Sequence, residues 1–597
     1  MSKKERKTNA LTPSHSPSPS SSSTTNTTLV LVESPSKCST IEKYLGEGYR
    51  VMATYGHFRS IKSLKDIVFS KDLSTLSINF ELDDSRKEKH IREIKKALEK
   101  SNGVVLATDD DREGEAIAWH ICDYFGLSTT ETPRIIFHEI TKDAITTAIQ
   151  NPGRINMNLV QAQFTRQVLD LFIGFKISPL LWTYISNNDK NSLSAGRCQT
   201  PALKMVVDNQ TKINNTPTVL QYNVSGMFTS HNVLFHLTSH LSTREEIKEF
   251  LEKSKTHNHT IQVDNPTTAT RNPPTPLNTS RLQQLASNEF HLSPKATMQI
   301  CQHLYENGLI TYMRTENTKY SRSFLEQTRK YLEKDGKSSS FTESPGNLTE
   351  TNKMAHEAIR PTNLNVGFLP SAKYDSRTCK MYRLIWETSV ASFMKPAIVS
   401  VIKATINGPD GLIYTHSAEL PVYDGWKSIM REVREPNVIK DFSRQEVPGF
   451  KKNNSSAYHF LENISNNSTV VANFITAKQE CVGTRNQLHY TESKLIRLLE
   501  EEGIGRPSTF ASIVDKIQTR NYVSKENLEG TVIDCVDFSL DNSKIITSTC
   551  VNKTFGAEKN KLVVKPMGIV VSRFLYEHFE PLFNYSYTRE TEALLDS

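Results

Sequence analysis

A chain of 597 residues is too long for one hydrophobic core and is read as roughly three to five domains. Its 37% hydrophobic and 23% charged content is that of a globular protein, and no apolar run reaches the ~18 residues that span a bilayer. The formal charge of +7 suits a polyanionic partner but, spread over this length, decides nothing alone.

The opening "MSKKERK" and the Ser/Thr/Pro tract after it contain no apolar h-region, so residues 1–27 read as a disordered basic tail and not as a secretory signal. "TLVLVES" then has the length and boundaries of a buried parallel strand. A second such run, Val104 to Ala107, leads into "TDDDREGE", after which Ala116, Ile117, Ile121 and Phe125 repeat at helical spacing. Strand, acidic loop and helix define an α/β unit over 28–156, and ligands of open α/β sheets bind at that edge. Residues 157–213 read as helical, and 214–270 and 400–482 as β-rich, the latter with two strands around an Asn-Gly-Pro-Asp-Gly turn at 407–411. Between the β segments lies a helical insert, 271–399, so the domains are expected to be nested. Within it "SPKATMQICQHLYENG" has Ser293 as N-cap, Pro294 at the first helical position and a stop at Asn307-Gly308, with Ala296, Ile300 and Leu304 sharing a face. Residues 483–597 are read as helical, beginning with two helices joined by a Gly-containing turn.

Eight cysteines, at 38, 122, 198, 301, 379, 481, 535 and 550, form no C-x-x-C pair of the structural-zinc kind. They predict buried thiols in a reducing, intracellular compartment and no zinc site. "GKSS" at 336–339 hints at a P-loop, but Tyr331 occupies the position of the required glycine, so no ATP site is expected.

Asp109 and Asp111 lie two apart in an extended loop, which turns both carboxylates the same way, and Glu113 follows at the start of the helix. Three hard oxygen donors suit Mg²⁺, although isolated acidic loops are commonly solvated turns or helix caps. The preceding strand and Glu33, at the end of another strand, favour a shared crevice. Lys37 in "VESPSK" supplies a point charge or belongs to an ordinary βα turn, and Glu33 is placed to move a proton near a phosphate. His57 is the weaker candidate in "YGHFRS". Tyr312 and Arg314 in "GLITYMRT" pair a phenol with a cation, a combination that packing alone does not require.

These residues fall in stretches that resemble type IA DNA topoisomerases, nearest the bacterial topoisomerase I branch. "LVESPSK", "ATDDDREGEAIAWH", "FHEIT", "SPLLW", "LSAGRCQTPAL", "GLITYMRT", "HEAIRPT" and "GIGRPSTFASI" occur in family order over nearly everything after residue 28. The resemblance implies a multidomain α/β and α+β fold: a Rossmann-like Toprim domain plus helical and β domains arranged as a toroidal core. Segments 157–213 and 483–597 would form a helical DNA-binding domain, 214–270 and 400–482 an arch, and 271–399 the domain bearing the tyrosine.

It further implies an ATP-independent enzyme that cuts one strand through a 5′-phosphotyrosyl link, passes a second strand and rejoins the first, relaxing negatively supercoiled DNA. Tyr312 would be the nucleophile, helped by Arg314, Glu33 and Lys37, with Mg²⁺ on Asp109, Asp111 and Glu113. Arg166, Arg197, His356, Arg360, Arg506, Ser508, Thr509 and His57 would contact DNA, and the enzyme would act as a monomer away from membranes. A decatenase, a non-catalytic DNA-binding paralogue and a Toprim nuclease or primase are the alternatives. Four departures stand out: Glu316 where Asp is usual, Gln167 where a second Arg is frequent, Asp110 where an apolar residue is common, and an end at "YTRETEALLDS" without a zinc-ribbon tail.

Overall fold

The computed structural model describes residues 27–72, 76–83, 85–186, 193–342, 356–431, 454–482 and 488–596. The tail expected to be disordered lies, apart from Thr27, outside the described residues. A three-stranded parallel sheet comes first, with β1 (Thr28–Val32) between β2 (Tyr49–Ala53) and β3 (Gly103–Leu106). Val30 stands level with Val51 on one side and Val105 on the other. All of β1 after Thr28 is buried, the physical reason for its unbroken apolar run. Because the strands are parallel, Glu33 and Asp109 emerge together at one edge, and the Asp109 backbone N–H donates to Glu33 Oε1 at 2.8 Å.

Helix α1 (Arg112–Phe125) starts at that edge, capped by Asp111, whose carboxylate accepts from the Gly114 N–H at 2.8 Å. A Cβ on Gly114 would meet the Asp109 carbonyl oxygen at 2.0 Å, so only glycine lets the helix begin this close to the acidic loop. One face of the sheet packs on Phe58, Ile91, Ile117, Ile121 and Phe164, the last from helix α2 (Met157–Tyr184). The opposite face, with Val30, Val32 and Val105, shares a core with Ile135, Phe137, Leu304, Tyr305 and Tyr312. The Toprim-like sheet and the tyrosine-bearing segment are therefore docked through a common apolar interior.

Beyond α2 the chain builds a core from distant segments, in which Leu181, Leu203 and Val206 pack with Leu495, Ile513 and Leu575. A ten-stranded sheet gathers residues 219–228, 233–237, 260–263, 397–407, 413–423 and 472–482, among others. Residues 483–597 are not wholly helical as expected: Val523–Leu528, Thr531–Asp541, Ile546–Phe555 and Glu558–Val564 are strands, and the second and third join the large sheet. The Thr531–Asp541 strand pairs with Ala472–Val482 through Phe474 to Ala477, and its buried Phe538 and Leu540 join the core under the large sheet. Their alternation was obscured by the polar residues of an exposed neighbouring strand.

Helix α3 (Pro294–Glu306) has Ser293 at its N-cap, accepting from the Ala296 N–H at 3.2 Å, and Asn307 at its C-cap. Its deepest face is formed by Thr297, Cys301, Leu304 and Tyr305, with Ala296 and Ile300 at the margin, a rotation of the expected stripe. The eight cysteines are all free; five are buried, Cys38 and Cys379 are half-buried, and Cys550 is exposed, contrary to a uniformly buried set.

Candidate active site

The Tyr312 loop is fixed from both sides. Gly308 takes φ of 70° directly after α3, and Ile310 bridges Pro361 in antiparallel fashion. The Thr311 N–H donates to the Arg360 carbonyl at 2.9 Å, and the Tyr312 N–H to the His138 carbonyl at 2.8 Å. Thr279 Oγ1 donates to the Met313 carbonyl at 2.7 Å and accepts from the Thr315 N–H at 2.9 Å. The phenol that results is only 2% exposed, its ring edge-on to Tyr305 and tilted against His356.

Its hydroxyl donates to Asp111 Oδ2 at 2.5 Å, and Arg314 Nη1 reaches the same oxygen at 3.1 Å. Burial first, and then the Asp111 charge, push the Tyr312 pKa well above that of an ordinary tyrosine, with Arg314 opposing. Burial alone would raise Asp111, but Arg314 and the hydrogen bonds from Tyr312 and Gly114 hold it below the usual carboxylate range. The proton in this arrangement therefore rests on the phenol.

Across the crevice, burial followed by the charges of Asp109 and Asp111 pushes Glu33 up to about 8, while Lys37 pulls it down. Lys37 is fully buried, its Nζ paired with Asp109 and 4.9 Å above the Tyr305 ring centroid. Glu113 accepts from Gln163 at 2.9 Å and lies 2.8 Å from His57 Nε2. The donor chemistry of Asp109, Asp111 and Glu113, all hard carboxylate oxygens on one loop, fits Mg²⁺. Here, however, each carboxylate is turned toward a protein donor. The three-residue group whose ligand atoms converge within 4.8 Å, among the described residues, is instead Asp110, His138 and His356.

The expected DNA contacts divide into two sets. Arg197 is buried and paired with Glu592 at 2.7 Å and Asp170 at 3.0 Å. Arg360 is buried between Glu357 at 2.6 Å and Glu139 at 3.0 Å. Both guanidinium groups are thus already matched to carboxylates inside the protein. Arg166, 3.8 Å from Glu592, is mostly buried; Arg506, 3.6 Å from Glu316, and Ser508 and Thr509 are half-buried. Thr509 Oγ1 accepts from the Arg506 N–H at 2.9 Å, which closes the turn. The longer side chain at Glu316 thus reaches a cation from another segment, a consequence of that departure.

Sequence reasoning missed Arg134. Fully buried, it donates to Glu115 at 3.1 Å and to the carbonyls of Thr108 and Asp109 at 2.9 Å each, clamping the acidic loop from behind. A charged residue opening the apolar run "RIIF" was the available signal. It also missed Gln163, which holds Glu113, and Glu592, whose helix (Tyr585–Asp596) brings a fully buried carboxylate to Arg197.

A family model described as DNA topoisomerase matches residues 154–534, and one described as Toprim domain matches residues 28–140. The chain belongs to the DNA topoisomerase family. Full-length topoisomerase I from Thermotoga maritima is similar in structure, with a TM-score of 0.73 at 28% identity over 95% of this chain and 86% of that one. This topoisomerase is of the bacterial type IA kind, a Toprim unit joined to a topoisomerase core, and DNA is its substrate class. Among the described residues no helix is long and apolar enough to cross a membrane.

Proposed function

We propose that this topoisomerase cuts one DNA strand with Tyr312, holds the broken end as a 5′-phosphotyrosyl ester and relaxes negatively supercoiled DNA without a nucleotide. The observation that carries this reading is the junction at Asp111 Oδ2, where the phenol and the Arg314 guanidinium meet on one carboxylate oxygen. The phenolic oxygen forms a bond to phosphorus as the bond from phosphorus to the 3′-oxygen breaks. Arg314 moves from Asp111 to the phosphate oxygens, where charge accumulates. Asp111 Oδ2, which accepts the phenolic hydrogen bond, takes the proton as the phenolic oxygen bonds to phosphorus. Glu33, protonated near neutral pH by its raised pKa, gives its proton to the leaving 3′-oxygen. Lys37, held against Asp109, keeps a positive charge at the same edge.

Mg²⁺, when bound by Asp109, Asp111 and Glu113, would neutralise the acidic loop beside the phosphate and favour rejoining. Arg166, Arg506, Ser508, Thr509, His356 and His57 guide the strand, while Arg197 and Arg360 act through the loops they anchor. Because the phosphotyrosyl ester preserves the energy of the broken phosphodiester, resealing draws on no ATP, and supercoil strain gives direction. The protein works as a monomer on unpaired DNA.

Covalent trapping tests the assignment. Single-stranded oligonucleotide labelled on the 3′ side of the break becomes attached to the wild type and not to Tyr312→Phe. A nuclease would still cut as the variant, and a pure binding module would yield neither product with either protein. Plasmid relaxation with Mg²⁺, and its loss in chelator, completes the test.

A further inference from the structure

Asp110, the middle residue of the acidic loop, has no part in the cleavage chemistry above. Its Oδ2 lies 2.7 Å from His138 Nε2 and 3.9 Å from His356 Nε2, and the two imidazole centroids are 5.1 Å apart. All three ligand atoms fall within 4.8 Å of one another. We propose that Asp110, His138 and His356 bind one borderline divalent transition cation of the Zn²⁺ class, distinct from the Mg²⁺ that Asp109, Asp111 and Glu113 suit.

The donor set decides the class: two imidazoles and one carboxylate suit Zn²⁺, Co²⁺ or Ni²⁺, whereas Mg²⁺ takes oxygen and water. Bonds of about 2.0–2.1 Å in a tetrahedral site place ligand atoms about 3.3 Å apart, between the 2.7 Å and 3.9 Å that separate Asp110 Oδ2 from the two imidazole nitrogens, and the two histidine ligand atoms lie within 4.8 Å of each other. Three protein ligands leave a position for water. An Asp110–His138 ion pair alone would account for two of the three residues. It leaves out His356, whose Nε2 stands 3.9 Å from Asp110 Oδ2 and within 4.8 Å of the His138 ligand atom.

The three ligands come from separate segments. Asp110 and His138 belong to the Toprim unit and His356 to the tyrosine-bearing unit, with its ring 5.4 Å from that of Tyr312. A cation here joins the two units across the cleft that DNA must enter.

Metal-free full-length protein is titrated with Co²⁺ in excess Mg²⁺ and followed by ligand-field absorption. The expected result is one equivalent bound, displaced by Zn²⁺, with affinity roughly tenfold or more weaker in Asp110→Leu and in His138→Asn. Glu113→Gln and Tyr312→Phe retain wild-type uptake. In the Co²⁺ form two hyperfine-shifted imidazole N–H resonances report both histidines, a readout that needs no variant. Absence of uptake in Mg²⁺, equal affinity in Asp110→Leu and His138→Asn, or loss of uptake in Glu113→Gln overturns the proposal. None of these readouts involves DNA cleavage, so a negative result leaves the assignment of Tyr312 untouched.

Discussion

Replacing Glu33 by Gln keeps the shape and the acceptor for the Asp109 N–H but removes the proton that the proposed mechanism gives to the leaving 3′-oxygen. An ordinary glutamate of pKa 4.5 would be protonated in only about 0.3% of molecules at pH 7; with the pKa pushed up to about 8, about nine-tenths carry the proton. The environment thus raises the working form roughly 300-fold, and general-acid help of this kind is worth about 10²–10⁴ in rate. Single-turnover formation of the covalent adduct should fall by about that factor in Glu33→Gln. The leaving group separates donation from positioning. With sulfur in place of the bridging 3′-oxygen, the departing thiolate needs no proton, and the variant should cleave within about tenfold of the wild type. Equal losses with oxygen and sulfur would refute the role of Glu33 as an acid and leave it a purely structural part of the crevice.

Arg134→Met strands the buried Glu115 carboxylate and should lower stability by about 3–5 kcal/mol, seen as a reduced melting temperature. Arg134→Met with Glu115→Leu should recover a good part of that loss. Gly308→Ala forces a side chain into φ of 70° and sets its Cβ 2.4 Å from the Ile140 carbonyl oxygen. Strain of about 1–2 kcal/mol and overpacking of about 1–3 kcal/mol should lower the melting temperature, and adduct formation should fall because Tyr312 follows four residues on. His120, 2% exposed among Phe58, Phe80, Trp119 and Phe164, is lowered to about 3 by burial, with the His57 and Arg59 charges adding to it. Above pH 6.5 it is neutral in both folded and unfolded chains. As pH falls below 6.5 the unfolded chain takes up the proton first, so up to about 5 kcal/mol of stability is lost toward pH 3, and His120→Leu should flatten the acid limb of melting temperature against pH.

The parts of this protein that sequence disclosed best are those fixed by local rules. β1 reads as buried because its apolar run is unbroken, and α3 starts at Ser293 because a serine followed by proline leaves few alternatives. Glu33 and Asp109 could be brought to one edge by topology alone, since both follow parallel strands. What stayed hidden depends on contacts between distant segments. Nothing near Arg134 announces that its guanidinium spans the acidic loop, and nothing near Arg197 indicates that a carboxylate from the last helix neutralises it. The strands at 531–541 and 546–555 were missed because one is exposed along most of its length, which removes the apolar alternation that marks a strand.

The charges of the cleft account for how the chain buries the phenol proposed as its nucleophile. Lys37 sits on Asp109, Tyr312 and Arg314 on Asp111, and His57 and Gln163 on Glu113, so the acidic loop is matched donor by donor within the protein. In that state the phenol is protonated and closed to water. A phosphate offers oxygens to a cation such as Arg314 or Lys37, and drawing either away leaves its carboxylate, Asp111 or Asp109, unmatched. On the mechanism proposed above, opening the cleft and activating the tyrosine are a single event: the exchange of an internal carboxylate for a DNA phosphate. Asp111→Asn separates the two halves of this exchange. It releases Arg314 without DNA, so the variant should bind single strands at least as tightly as the wild type while forming less adduct, and weaker binding in the variant would contradict the exchange.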